Sequence, residues 1–174
     1  HPTSSQSLTL LFVAAALDNP GDYRGFFGAN AAGGRDYETG FNVGLGPSAS
    51  TSVDYINVEG KGFGGARDLY GDRHDFGQLR LVTISVDASQ RKVTLRVDGK
   101  EVGTRELVPG DLSLAELTLG ARYLFHDANR EQIRCPLKCD IAEVMLYDRA
   151  LGDRETLAVE SFLTAKYERL RKTL

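Results

Sequence analysis

The side chains that could recognise a ligand gather in two long segments. Glu59 to Gly77 (EGKGFGGARDLYGDRHDFG) carries Arg67, Asp68, Tyr70, Asp72, Arg73, His74 and Asp75, and Tyr123 to Lys138 carries His126, Asp127, Asn129 and Arg130. A sugar is held by an aromatic ring against its pyranose face and by polar groups that bond its hydroxyls in pairs. Tyr37, Tyr70 and Tyr123 supply rings near these segments, and Arg35, Arg67, Arg73, Arg122 and Arg130 supply planar forks for hydroxyls, carboxylates or sulfates. The set expected to touch a ligand is Tyr37, Tyr70, Arg73, His74, Tyr123, His126 and Arg130. The competing reading is that the tyrosines pack the loops and the arginines solubilise the surface. The absence of tryptophan favours that competitor.

Calcium needs six to eight oxygens from carboxylates and carbonyls. Asp72 with Asp75, and Asp127 with Asn129, offer such oxygens without an EF-hand pattern. No cofactor is certain, and calcium is the one metal these loops could hold. Asp18-Asn19-Pro20-Gly21-Asp22 reads most simply as a turn. No two of the three histidines share a short metal-ligand spacing. Retaining glycosidases need two carboxylates about 5 Å apart. Asp140 and Glu143 are three residues apart and point to opposite faces of a regular strand. No catalytic pair is expected, so the chain reads as a non-enzyme. Cys135 and Cys139 have neither zinc-site nor C-x-x-C spacing. In an extracellular domain they would form a small disulfide loop, and the alternative is a free reduced pair.

These groups sit on a chain built mostly of strands. Alternation and turn signals predict strands over 7–16, 23–29, 40–45, 51–58, 78–87, 92–98, 101–107, 114–121 and 139–147. Asp98-Gly99 has the residue types for a tight hairpin with positive φ. From Cys139 the pattern alternates through Ile141, Val144, Leu146 and Tyr147. It then turns helical over 153–172, with Leu157, Val159, Phe162, Leu163, Tyr167 and Leu170 along one broad face. Many short strands at this spacing argue for a sandwich rather than a βαβ layout. The expected fold is all-β, a two-sheet antiparallel jelly-roll sandwich with one C-terminal α-helix.

At 174 residues, 41% hydrophobic and 26% charged, the chain suits one globular domain. Residues 1–6 are expected to be a frayed terminus or linker scar, and 7–174 a single domain. The net charge of −3 arises from 24 acids and 21 bases spread along the chain, with no basic block for nucleic acid. The longest apolar run, Leu8 to Leu17, is too short to cross a bilayer.

Residues 139–167 resemble the end of laminin-G-like, concanavalin-A-like jelly-roll domains, especially bacterial secreted ones. The matching residues are Asp140, Ile141, Glu143, Leu146, Tyr147, Asp148, Arg149, Ala150, Leu151, Glu155, Phe162, Leu163, Lys166 and Tyr167. Val97-Asp98-Gly99-Lys100 is similar to that family's hairpin, and Leu8 to Ala16 to its opening strand. No tryptophan stands where the family usually has one. Neither the E-x-D-x-x-E triplet of the related glucanases nor a lyase motif is present. The resemblance implies a non-catalytic module that binds a glycan or a cell-surface protein, sometimes through calcium at one rim. It also implies a secreted or extracytoplasmic setting within a longer polypeptide, with glycan as the leading ligand class. The runner-up is a structural or protein-interaction module without a small ligand.

Overall fold

A computed structural model of the chain describes residues 3–124 and 133–171, the side chains of residues 169–171 excepted. In chain order the elements are β1 (Ser4–Ser5), β2 (Leu8–Ala16), β3 (Gly25–Asn30), α1 (Asp36–Thr39), β4 (Phe41–Leu45), β5 (Ile56–Gly60), β6 (Arg80–Asp87) and β7 (Lys92–Val97). They continue with β8 (Lys100–Glu106), β9 (Leu112–Ser113), β10 (Glu116–Leu119), β11 (Arg122–Tyr123), β12 (Ile133–Arg134), β13 (Cys139–Tyr147) and α2 (Asp153–Arg171). A five-stranded sheet, β13-β2-β6-β7-β8, packs on a four-stranded one, β10-β3-β4-β5, and their strand pairings are all antiparallel. The expected sandwich with a late helix is thus what forms. Ser4-Ser5, expected to fray, instead pair with Leu112-Ser113.

The core lies between the sheets. Leu8, Leu10, Phe12 and Ala14 of β2 meet Phe27, Phe41, Val43 and Ile56 across it, and Ile84, Val93 and Leu95 extend the layer. The alternate residues of β2, Leu11, Val13 and Ala15, face outward against Leu151, Val159, Leu163 and Tyr167 of the α2 region. Both faces of β2 are therefore apolar, and all nine residues are buried. Asp98 (φ 51°) and Gly99 (φ 78°) make the β7–β8 hairpin in the left-handed region, as their residue types require.

Two local devices set the helix. Cys139 and Ile141 pack on the inner core, but so do Val144 and Leu146, a change of parity made by a bulge between Ile141 and Glu143. The bulge turns Glu143 to the helix side, the side Asp140 also takes, which corrects the opposite-face expectation for that pair. There Glu143 accepts from Lys166 Nζ and Tyr167 Oη, both at 2.7 Å. At the helix start, Glu155 accepts two Arg149 hydrogen bonds at 2.7 and 2.8 Å and one from the Gly152 amide at 3.0 Å. Those bonds hold its carboxyl down to about 2.

The helix is rotated from its expected setting. Its buried stripe is Thr156, Glu160 and Leu163, flanked by Val159 and Tyr167, while Leu157 and Phe162 point outward at 52% and 56% exposure. The cause is Glu160. It accepts from Thr83 Oγ1 at 2.9 Å and from Arg96 Nε and Nη2 at 2.9 and 3.0 Å, and the bond to Glu160 raises the Arg96 pKa. A carboxylate among an apolar stripe thus fixes which side faces the sheet. Glu160→Ala strands a guanidinium under the helix and should lower unfolding free energy by about 3–5 kcal/mol in urea titration. Leu157→Ser should change it by less than about 0.5 kcal/mol, and a reversed order would mean a different helix rotation.

Candidate functional site

Past an irregularity between Gly25 and Phe27 that lets Phe26 join the core as well, the four-stranded sheet alternates. Phe27, Ala29, Phe41, Val43, Leu45, Ile56 and Val58 enter the core, which leaves Gly28, Asn30, Asn42, Gly44, Asn57 and Glu59 for the other face. Asn42 lies opposite Gly28 on one side and Glu59 on the other. The short turn of α1 places Asp36 above this row, where a Cβ on Gly28 would already lie 3.4 Å from its Oδ2. Asp36 accepts from Asn42 Nδ2 at 3.1 Å, from the Tyr123 amide at 3.2 Å, and from Arg122 Nε and Nη2 at 3.2 and 2.8 Å. Arg122 Nη2 also reaches Glu59 Oε2 at 3.1 Å. Asn57 donates to Asn42 at 3.3 Å and accepts the Arg67 amide at 2.8 Å. Burial alone would lower the Arg122 pKa, but the Asp36 bond and charge, aided by Glu59, raise it. Every donor in this network already has a carboxylate or amide to bond. It fastens α1, β11 and the loop after β5 onto the sheet.

Two of the three expected tyrosines lie inside the fold. Tyr70 and Tyr123 are 4% and 6% exposed, so their rings are packing groups rather than binding surfaces. Tyr37 is half-buried, with the guanidinium carbons of Arg35 and Arg122 5.8 and 5.7 Å from its ring centre. His74 is drawn into the loop fabric. Its backbone bridges to Val53, and the Tyr70 hydroxyl lies 2.7 Å from its Nδ1. Burial, joined by the Arg80 charge, lowers the His74 pKa to about 4 against the opposing pull of Asp98, Asp72 and Asp75. Arg73 is exposed in the same loop. Asp72 and Asp75 are exposed too, and no group of three or more His, Cys, Asp or Glu converges among the described residues. His126, Asp127, Asn129 and Arg130 lie outside the described residues.

Cys135 and Cys139 are free thiols, so the expected disulfide is not formed. Cys135, at φ 51°, turns its sulfur toward Asp22 Oδ2 at 3.6 Å, while the Cys139 sulfur faces Gly120. Burial, then the Asp22 charge, raises the Cys135 pKa.

A cavity lies elsewhere, at the edge where β5 and β8 meet. It is an open groove of about 1220 Å³ whose walls include Phe63, Arg67, Arg91, Thr104, Arg105 and Glu106. One wall is the arch 62–67. The Val108 amide donates to Gly62 O at 2.9 Å at one end of it. Beyond the other end, the Leu69 carbonyl lies so close to Gly103 that a Cβ there would sit 2.0 Å from it. Arg105, only 6% exposed, props the arch from below by donating through Nη1 to Val58 O at 2.7 Å and Gly65 O at 2.8 Å. Residue type and loop position point to Arg67 but not to Arg105 or Arg91. A signal was there: Arg105 takes the core-facing parity of β8, opposite buried Val93 and two residues before buried Leu107.

No family model matches the chain, and no curated protein does. Solved structures do share the fold. A Bacteroides ovatus protein assigned to carbohydrate binding superposes with a TM-score of 0.64 at 14% identity, over 87% of this chain and 40% of that one. Trypanosoma rangeli sialidase in complex with sialic acid gives 0.60 at 14% identity, over 88% and 22%. The SAP-like pentraxin of Limulus polyphemus gives 0.60 at 12% identity, over 88% and 69%. The chain therefore spans well under half of the first two. At these identities the likeness establishes the fold, an antiparallel β-sandwich.

Asp36→Ala removes four accepted hydrogen bonds beneath buried Arg122, and should cost about 3–5 kcal/mol in denaturant unfolding. His74 shares the sign of a paired carboxylate, although burial rather than an ion pair sets it. Its folded pKa lies below the ordinary 6.5, so the unfolded chain takes the proton first and stability falls as pH drops from about 6.5 to 4. Discounted for partial exposure, the loss is about 1–2 kcal/mol. His74→Gln should flatten that part of the stability-against-pH curve, measured by thermal melts at pH 4 to 7.

Proposed function

We propose that this domain is a non-catalytic carbohydrate-binding module of a larger exported protein, of the laminin-G-like kind that its last strand and helix resemble. The observation that carries the reading is the groove of about 1220 Å³ beside β8. It is walled by Arg67, Arg91, Thr104 and Glu106, all exposed and able to bond hydroxyls in pairs. The fold shared with the Bacteroides protein and with the sialidase supports the same reading.

A second reading, a protein-binding module, is favoured by one feature. Leu117 and Leu119 on the edge strand β10 pair with Ala29 and Phe27, and so point inward at the lip of the sandwich, yet both are more than half exposed. Such a lip suits an added strand from a partner. Glycan-array screening followed by calorimetry separates the two. Saturable oligosaccharide binding, weakened at least tenfold by Thr104→Ala with Gln90→Ala on the groove wall and unchanged by Leu117→Ser, supports the module as proposed. Silence across diverse glycans overturns it in favour of the β10 lip, and measurable depolymerisation by the isolated domain overturns its non-catalytic part.

A further inference from the structure

The groove beside β8 is cationic in an otherwise acidic chain. The chain carries −3 overall, but the groove gathers Arg67, Arg91, Lys92 and Arg105 against the single carboxylate of Glu106. Lys92 is partly committed, at 3.7 Å from Glu101. Arg67 and Arg91 make no side-chain hydrogen bond or ion pair among the described residues, and both are exposed.

Arg105 supplies the second observation. Two arginines among the described residues are buried, and they are treated differently. Arg122 faces two carboxylates, Asp36 and Glu59. Arg105 faces none within ion-pair distance: its Nη1 is spent on two backbone carbonyls, and its Nε is buried without a partner. Carbonyl dipoles satisfy hydrogen bonds without cancelling a charge. Burial first, then the neighbouring Arg67 charge, lower the Arg105 pKa, and Glu59 offsets them only in part. The positive field of a buried, uncancelled guanidinium emerges into the groove directly under the arch that carries Arg67. An open concavity with low-dielectric walls concentrates such a field and draws anions to it.

We propose that the groove takes an acidic glycan, with a carboxylate or sulfate group held between the Arg67 and Arg91 side chains above Arg105. This rests on the reading of the groove as a glycan site and narrows its ligand class. Planar guanidinium forks match both anions bidentately. The exposed position of Arg67 and Arg91 lets either anion arrive with its sugar ring still in the open groove. Arg105 itself is a positioning residue, since its donors already hold the arch.

One matched set of probes tests this with the whole domain. The probes are a chondroitin sulfate hexasaccharide, the same sugar desulfated with its carboxylates kept, and the same sugar desulfated and carboxyl-reduced to neutrality. Calorimetric titration at 50 and 300 mM NaCl should show binding of at least one anionic probe at least tenfold tighter than the neutral one. The affinity should weaken at the higher salt, as expected for exposed charges. Arg67→Gln and Arg91→Gln should each weaken it about tenfold while the melting temperature stays put. Preference between the first two probes assigns the anion to sulfate or to carboxylate. Equal affinity for all three overturns the acidic class and leaves a glycan module standing. Anion binding indifferent to both substitutions overturns this location. No binding of any probe overturns the acidic-glycan assignment, and the glycan-array screen then decides separately whether a sugar binds at all.

Discussion

Burial of β2 on both faces is the constraint from which the rest of the structure follows. One face closes the core between the sheets and the other receives α2, so the strand cannot slip by one residue without exchanging two apolar sets of different shape. With β2 central, β13 and β6 take fixed registers on either side. The bulge in β13 then becomes necessary, because it lets the strand serve the inner core at Ile141 and Val144 while presenting Glu143 to the helix. The helix can lie across the sheet only where Glu160 finds Thr83 and Arg96.

Outside that frame, buried charge is handled in two ways. Under α1 and under α2 a guanidinium meets carboxylates, and each arrangement closes on itself: Arg122 with Asp36 and Glu59, Arg96 with Glu160. Both tie a mobile class of element, a short turn or a terminal helix, to a sheet. Beside β8 the third arrangement stays open. Arg105 is satisfied by carbonyls, which preserves the shape of the arch and leaves its charge available to whatever enters the groove. The same residue type is thus a fastener in two places and a source of field in the third.

Much of the fold could be read from residue order. The strands over 78–87, 92–98 and 139–147 fall within two residues of their observed ends, because alternating β-branched residues and an Asp-Gly turn are local signals. The segment 51–58 yields a strand only from Ile56 to Gly60, since Val53 is held by a single bridge to His74, a contact between distant segments. The helix was legible in extent but not in rotation. An apolar count favours Leu157 and Phe162 as inward residues, and a buried Glu160 cannot be foreseen without knowing that Arg96 lies beneath it.

The ligand-facing residues were the least legible. Tyrosines in loops look alike whether they stack on a sugar or fill a gap, and burial, which decides between them, depends on segments far away in the chain. By itself the order of residues determined the strand pattern, the hairpin at Asp98-Gly99 and the sandwich class, because these arise from periodicity and from φ preferences of single residues. Only the tertiary structure decided that Tyr70 and Tyr123 belong to the interior, that the cysteines stay apart, and that Arg67, Arg91 and Arg105 share one groove. Those outcomes depend on which distant segments of backbone approach one another, and no local preference encodes that.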